Sequence, residues 1–163
     1  LEFRQPRRPH RPGAAADPSL HQLRRAEALA EYSISPDFAP LVIGYKRVAN
    51  ILRGAEEGSE GGTALPTLDP KSLTEPAEAA LHAAAVAAAG RIREHRAARR
   101  FGEALTELLA LRAPIDRFFT ETMVMVEDPR VRGRRLALLA EVRDLFTGTW
   151  DLSRVVVEGE RIR

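Results

Sequence analysis

The sequence predicts an all-α fold, a helical bundle whose amphipathic helices pack around one core. Apolar residues recur at helical spacing in successive segments, and no segment shows the two-residue alternation that a half-buried strand requires. Prolines and capping residues mark the starts of several of these segments. With 163 residues, 44% of them hydrophobic and 29% charged, the chain has the composition of one soluble globular domain.

Two helices are predicted in the first third of the chain. The first covers residues 17–32 and opens on an Asp-Pro pair, which is typical of a helix start. The second covers residues 35–54, where Ser35 is the expected cap and Gly54 the expected end. Residues 55–63 are polar and rich in glycine, so a flexible loop is predicted there.

Further helices are predicted in the rest of the chain. Ser72 and Glu75 have the spacing of a capping box, so an alanine-rich helix is expected from there to about His95. More helices are expected over residues 98–111, 114–126 and 129–147, followed by a short segment that opens near Asp151.

Large apolar side chains on these helices are assigned to the core. For the last two helices these are Phe118, Phe119, Met123 and Phe146, which lie at stripe positions and are expected to pack rather than to stack on bases. Trp150 follows a glycine in a turn and is interpreted as a cover for the end of the bundle. The alternative for Trp150 is stacking on a base.

The helical domain is expected over residues 17–157, with a short tail at 158–163. Residues 1–16 are rich in arginine and proline and have little to bury, so we interpret them as a flexible linker or an expression-derived tail. Because the first residue is not methionine, we expect a piece of a longer chain.

Residue types that carry chemistry are sparse. The chain has no cysteine, no glycine-rich phosphate loop and no metalloprotease or hydrolase motif. Its histidines are too dispersed for a familiar metal site. We therefore expect no catalytic residue and no metal site in this chain. No apolar run is long enough to span a bilayer and no secretory signal is visible, so a cytoplasmic location is expected.

A first basic cluster lies on the second predicted helix. The net charge of +2 is too small to indicate nucleic-acid binding, so only local clusters can argue for it. Lys46, Asn50 and Arg53 share one polar face, with Arg47 on its flank. Cations that neutralise phosphates and an amide that pairs with a base edge suit RNA contact. The alternative is a solvated face, with Asn50 bonded to a neighbouring loop.

A second basic cluster opens the last long helix. Arg130, Arg132 and Arg134 lie in its first turns, where the helix dipole is unfavourable to cations. An RNA phosphate bound at this helix start would account for them. The alternative is pairing with Glu127 and Asp128.

Other arginines are given structural roles. Arg135 continues the apolar stripe of its helix and should point to the interior, where a buried arginine needs a carboxylate partner. Asp116 is predicted to be that partner. The arginine-rich segment 91–100 ends the alanine-rich helix and is interpreted as a solvated helix end.

Three blocks carry a family resemblance, and they occur in the family's order. They are GYKRVANIL at 44–52, LDPKSLTEPAEAAL at 68–81, and APIDRFFTETMVMVEDPRVRGRRLALLAEVRDLFTGTWDLSRV at 113–155. Together they resemble the C-terminal anticodon-binding region of the β subunit of bacterial glycyl-tRNA synthetase. The resemblance covers roughly residues 20–156 and departs at the glycine-rich loop and at Trp150.

The resemblance implies a helical bundle of the DALR type that holds the anticodon arm of glycine tRNAs. It also implies a glycyl-tRNA synthetase α subunit and the rest of the β chain as partners. ATP and Mg would act on the α subunit, and no cofactor is expected in this chain. One alternative is the related anticodon-binding domain of arginyl-tRNA synthetases. Another is a helical scaffold that docks on its synthetase without touching RNA. RNA binding predicts that the two basic clusters converge on one open surface.

Overall fold

The computed structural model describes residues 18–58 and 64–155, and within these ranges it contains helices and no strand. The α-helices are Pro18–Tyr32 (α1), Phe38–Glu57 (α2), Pro76–Ala97 (α3), Phe101–Leu109 (α4), Arg112–Glu121 (α5) and Pro129–Thr147 (α6). Two 3-10 helices lie at Pro70–Ser72 and Leu152–Arg154. The predicted all-α bundle is confirmed. The tails predicted at residues 1–16 and 158–163 lie outside the described residues.

Helix α2 is longer than predicted. It continues through Gly54 to Glu57 and ends at Gly58, whose N–H bonds to the Gly54 carbonyl. A glycine inside a helix weakens it without ending it, and the alanine and glutamates that follow favour helix. The prediction that Gly54 ends this helix is therefore wrong. Residues 59–63 of the predicted loop lie outside the described part of the chain.

Helix α3 begins later than the predicted capping box placed it. Ser72 belongs to the 3-10 turn that Asp69 caps, and it is not the cap of α3. The helix starts at Pro76, with Glu75 as its N-cap and Glu78 bonding back to the Glu75 N–H. A proline in the first turn fixes this start, because its ring presets the helical φ and its missing N–H has no partner to lose.

The next two helices are shorter than predicted. The chain turns at Arg99, whose φ of 60° interrupts the helical geometry, and α4 begins at Phe101. Helix α5 ends at Glu121, because Thr122 is extended. Met123 therefore lies beyond the helix and is 72% exposed, so its assignment to the core is wrong.

The core lies where α6 packs against α2 and α3, and α3 in turn packs against α4 and α5. The rings of Tyr45 on α2 and Phe146 on α6 stack with centroids 4.6 Å apart. Phe118 and Phe146 are fully buried, as predicted, whereas Phe119 is partly buried at the margin of the core.

Trp150 covers one end of the bundle, as predicted. Its side chain is only 7% exposed and meets the edge of Phe101 at 6.3 Å between ring centroids. Its Nε1 donates a hydrogen bond to the carbonyl oxygen of Arg25, 3.2 Å away. This contact fixes α1 against the C-terminal end of α6. None of the helices described is both long and apolar enough to cross a bilayer.

Candidate nucleic-acid interface

The polar face of α2 carries the first predicted cluster. Arg47, Asn50 and Arg53 are exposed, and Lys46 is half-buried. Arg53 Nη2 donates a 2.7 Å hydrogen bond to Asn50 Oδ1, so the partner of Asn50 lies one turn away on the same helix rather than on a loop. Because the amide oxygen accepts this bond, the NH2 group of Asn50 supplies two further donors.

Arg47 joins α2 to α5 through an aromatic ring. Its guanidinium carbon lies 4.2 Å from the centroid of Phe119, within the range of a cation–π contact. The contact holds the guanidinium at an exposed position, where it is available to contact a base. The chain that leaves α5 adds exposed apolar side chains, Met123 and Met125.

The N-terminus of α6 is capped by the side chain of Asp128. Asp128 Oδ1 accepts hydrogen bonds from the backbone N–H groups of Arg130 at 2.8 Å and Val131 at 3.5 Å. Among the described residues, neither Glu127 nor Asp128 forms an ion pair with the arginines that follow. The alternative of local pairing therefore does not account for these arginines.

The three arginines of the second cluster have different surroundings. Arg130 is exposed, whereas Arg132 is half-buried and donates from Nη1 to the Val126 carbonyl oxygen at 2.9 Å. Arg134 is withdrawn further, with Nε 3.4 Å from Glu78 Oε2 and Nη2 3.4 Å from Thr74 Oγ1. Of the three, Arg130 is the most accessible to a ligand, and Arg134 is held in a structural contact.

The two basic clusters meet at one end of the bundle. Arg132 lines a groove of about 260 Å³ together with Gly54, Ala55, Glu56 and Gly58 at the end of α2, directly after Arg53. Arg130 and Arg134 line a neighbouring groove of about 350 Å³, formed with residues 66–69 and Ser72. The C-terminal end of α2 and the N-terminal end of α6 therefore line one groove together, and α6 lines the second groove with the segment that precedes α3.

Arg135 points to the interior, as predicted, but its partner is not Asp116. Its Nε lies 2.6 Å from Oε1 of Glu78, and its Nη1 donates to the Met123 carbonyl oxygen at 2.5 Å. Asp116 pairs instead with Arg112 at 3.3 Å on an exposed face of α5. The prediction failed because Asp116 lies one turn from an arginine of its own helix and remains at the surface.

The sequence did contain a signal for Glu78. This residue lies three positions before Leu81 and seven before Ala85, and both belong to the buried stripe of α3. Helical spacing therefore places Glu78 on the apolar side, where a carboxylate must have a cationic partner. In the structure Glu78 is fully buried.

The electrostatics of this site favour the ionised carboxylate. Burial alone raises the pKa of the Glu78 carboxyl, since it penalises the charged form. The hydrogen bond from Arg135, the charges of Arg134 and Arg135, and the Glu75 N–H outweigh burial, and they hold the pKa of Glu78 below its ordinary value of 4.5. The ion pair between Glu78 and Arg135 therefore has a structural role beside the candidate interface.

Comparison with known proteins identifies the family to which the sequence is similar. Residues 41–153 match the family described as the DALR anticodon binding domain. The chain is 37% identical over 145 residues to the glycine–tRNA ligase beta subunit of Anaeromyxobacter dehalogenans, a match covering 89% of this chain and 20% of the relative. For the beta subunits of Acidobacterium capsulatum and Geobacter metallireducens the identity is 40%, covering 88% and 80% of this chain and 20% and 18% of the relatives. The chain thus spans about a fifth of the length of these curated relatives.

Proposed function

This chain belongs to the DALR anticodon binding domain family, and on that basis we propose that it binds the anticodon arm of tRNA. The observation that carries the proposal is the exposed row of Arg47, Asn50 and Arg53 on α2, the end of which shares a groove with Arg132 of α6. Guanidinium groups can neutralise phosphates, and the amide of Asn50 can hydrogen-bond an unstacked base. Together these groups meet the needs of a single-stranded loop and its flanking backbone.

The wider role follows from the curated relatives. Since they are beta subunits of glycine–tRNA ligase, we propose that this chain corresponds to about a fifth of such a subunit and supports glycyl-tRNA formation. Its partners would be glycine tRNAs, the α subunit and the rest of the β chain, in the cytoplasm. ATP and Mg²⁺ are proposed to act on the α subunit, while this chain binds and positions tRNA without catalysing the reaction.

Docking onto the rest of the enzyme is a second candidate function. Helix α3 presents an apolar outer face on which Val86 is 58% exposed. Beside it, Ala85, Ala89 and Leu145 line a shallow groove of about 290 Å³. Such a face suits contact with another part of a larger protein, and it lies on α3 rather than on the basic end of α2.

RNA binding is tested by titrating the 163-residue chain with a glycine anticodon stem-loop and with a stem-loop of altered anticodon. We expect the glycine stem-loop to bind more tightly than the altered one. Arg53→Gln is expected to weaken binding and to reduce the salt slope, which is the magnitude of the slope of log affinity against log salt concentration, by about one. Asn50→Ala is expected to reduce the discrimination between the two RNAs. Arg91→Gln is the matched control, because Arg91 pairs with Glu107 on the α3–α4 side of the bundle.

Equal binding of both stem-loops would contradict anticodon recognition. Loss of affinity in the Arg91 control as large as that in the Arg53 variant would show general charge attraction instead. Absence of binding to either RNA would favour the docking role.

A further inference from the structure

A second basic groove lies at the opposite end of α6 from the candidate interface. It has a volume of about 370 Å³ and lies between α1, the last turn of α3 and the start of α4. Its lining is His21, Arg25, Arg93, Arg96, Ala97 and Phe101. Helix α6 has 19 residues, so the two basic regions are separated by about 28 Å along its axis.

Among the described residues, the arginines that line this groove form no ion pair with an acidic side chain, whereas two neighbouring arginines do. Arg91 pairs with Glu107 at 2.6 Å, and Arg100 pairs with Glu103 at 3.1 Å. In the part of the chain that the structure describes, Arg25, Arg93 and Arg96 form no such ion pair, and the groove has no acidic lining residue. The arginines of segment 91–100 are exposed, as predicted for a solvated helix end, and Arg93 and Arg96 also line this groove.

Packing holds several of these groups in place. The Arg25 guanidinium lies over the Phe101 ring, 5.5 Å from its centroid, and the Arg25 backbone is bonded to Trp150. Arg96 lies against the backbone of Gly148, where a Cβ atom would come within 2.6 Å of its Nη1. The absence of a side chain at position 148 thus gives Arg96 room beside the groove.

Two buried nitrogen atoms at this site lack a hydrogen-bond partner among the described residues. They are His21 Nε2 and Arg25 Nε. Buried polar atoms are normally satisfied by protein, water or ligand, because an unmade hydrogen bond costs the full desolvation of the group. A tetrahedral oxyanion supplies several acceptors together with the negative charge that three arginines favour.

We propose that this groove binds one phosphate group, and that the phosphate belongs to the backbone of the RNA bound at the candidate interface. The choice of RNA as the source rests on the proposed function, whereas phosphate affinity as such does not. Because the two basic regions lie about 28 Å apart, this phosphate would come from the helical stem rather than from the loop. The dipole at the end of α3 slightly opposes an anion, and three guanidinium groups outweigh it.

The first experiment uses inorganic phosphate and the isotope-labelled 163-residue chain. Titration followed by NMR is expected to give saturable shifts of the His21 ring and of the Nε–H signals of Arg25, Arg93 and Arg96. The double variant Arg93→Gln/Arg96→Gln is expected to weaken this binding about tenfold or more, since bonds to charged groups are lost. The matched control Arg24→Gln/Arg91→Gln also removes two positive charges, one from α1 and one from α3, without touching the groove lining, and should retain the shifts.

The second experiment measures stem-loop affinity against salt concentration for the same variants. We expect the groove variant to bind about tenfold more weakly and to lower the salt slope by about one, while the control keeps the slope. Unmoved signals in the phosphate titration would overturn the phosphate site. Shifts with phosphate but an unchanged RNA slope would overturn RNA as the source and leave a site for free phosphate.

The two proposals can fail separately. If the stem-loop does not bind the unmodified chain, the RNA assignment of the groove falls together with the proposed function. The inorganic phosphate titration still decides whether the groove binds an oxyanion, because it requires no RNA.

Discussion

Arg135 and Glu78 form a buried ion pair, 57 residues apart in sequence, that ties α6 to the first turn of α3. Nε of Arg135 lies 2.6 Å from Oε1 of Glu78, and the arginine also holds the Met123 carbonyl. The other carboxylate oxygen faces Arg134 at 3.4 Å and the Glu75 N–H at 3.5 Å. Three separate segments are therefore joined through this ion pair.

Removing that carboxylate charge should destabilise the fold strongly. In Glu78→Gln, two arginines lose their buried counter-charge, and we expect the free energy of unfolding to fall by about 3–5 kcal/mol. Urea unfolding followed by circular dichroism measures the change. Glu103→Gln, at an exposed pair with Arg100, should cost about 1 kcal/mol or less. Equal losses in the two variants would contradict a special role for the buried pair.

The same pair gives a pH dependence with a definite sign. The pKa of Glu78 is lowered in the folded state, so its contribution to stability is present above the unfolded value of 4.5 and is lost as pH falls through the folded pKa. We expect unfolding in urea, repeated from neutral pH downward, to show the difference between the unmodified chain and Glu78→Gln shrinking below pH 4.5. If the difference in stability between the two proteins grew as the pH fell, the conclusion that folding lowers the pKa of Glu78 would be wrong.

Arg130 and Arg134 should separate binding from stability. Arg130 is exposed, so Arg130→Gln is expected to lower the RNA salt slope by about one and to change stability by less than about 0.5 kcal/mol. Arg134→Gln removes contacts to Glu78 and Thr74, so it should lower the free energy of unfolding by about 1 kcal/mol and leave the slope unchanged. Stem-loop titrations and urea unfolding of both variants provide the test. A loss of stability in Arg130→Gln together with a lower salt slope in Arg134→Gln would contradict the prediction.

Two helical glycines should respond differently to alanine. A Cβ atom at Gly90 meets nothing within 4 Å, so Gly90→Ala is expected to stabilise α3 by about 0.5–1 kcal/mol. At Gly44 a Cβ atom would lie 3.1 Å from Cγ2 of the buried Ile115, and overpacking of about 1–3 kcal/mol should cancel or exceed the helical gain. Thermal unfolding ranks the variants, and Gly44→Ala as stable as Gly90→Ala would show that the α2–α5 contact relaxes freely.

Helical periodicity and the prolines at positions 18 and 129 were sufficient to predict the presence and order of the helices. Their ends depended on tertiary structure. Beyond Gly54, local helix preference is joined by the packing of Ala55 against the core. Met123 lies past the end of α5, where Arg135 holds its carbonyl oxygen. Neither contact can be predicted from the helix preferences of the residues alone.

In the candidate site, too, some features could be predicted from helical spacing and others depended on tertiary contacts. Spacing along α2 correctly placed Asn50 and Arg53 on an exposed face, but Lys46, predicted on the same face, is half-buried, and Arg47, predicted on its flank, is exposed. Spacing could not distinguish Arg130 from Arg134, because their difference comes from Glu78 and Thr74 on a distant segment. The groove beside Arg96 likewise forms because α1 lies next to the end of α3. No local sequence pattern predicts that contact.

The bond from Trp150 to the Arg25 carbonyl spans 125 residues of sequence. During synthesis, α1 leaves the ribosome long before the residue that secures it has been added to the chain. Closing so long a loop carries an entropic cost, and distant contacts of this kind slow folding. Helix α1 can pack against α4 before then, but its contact with Trp150 should be among the last to form, and truncation ahead of position 150 should loosen α1 around Arg25.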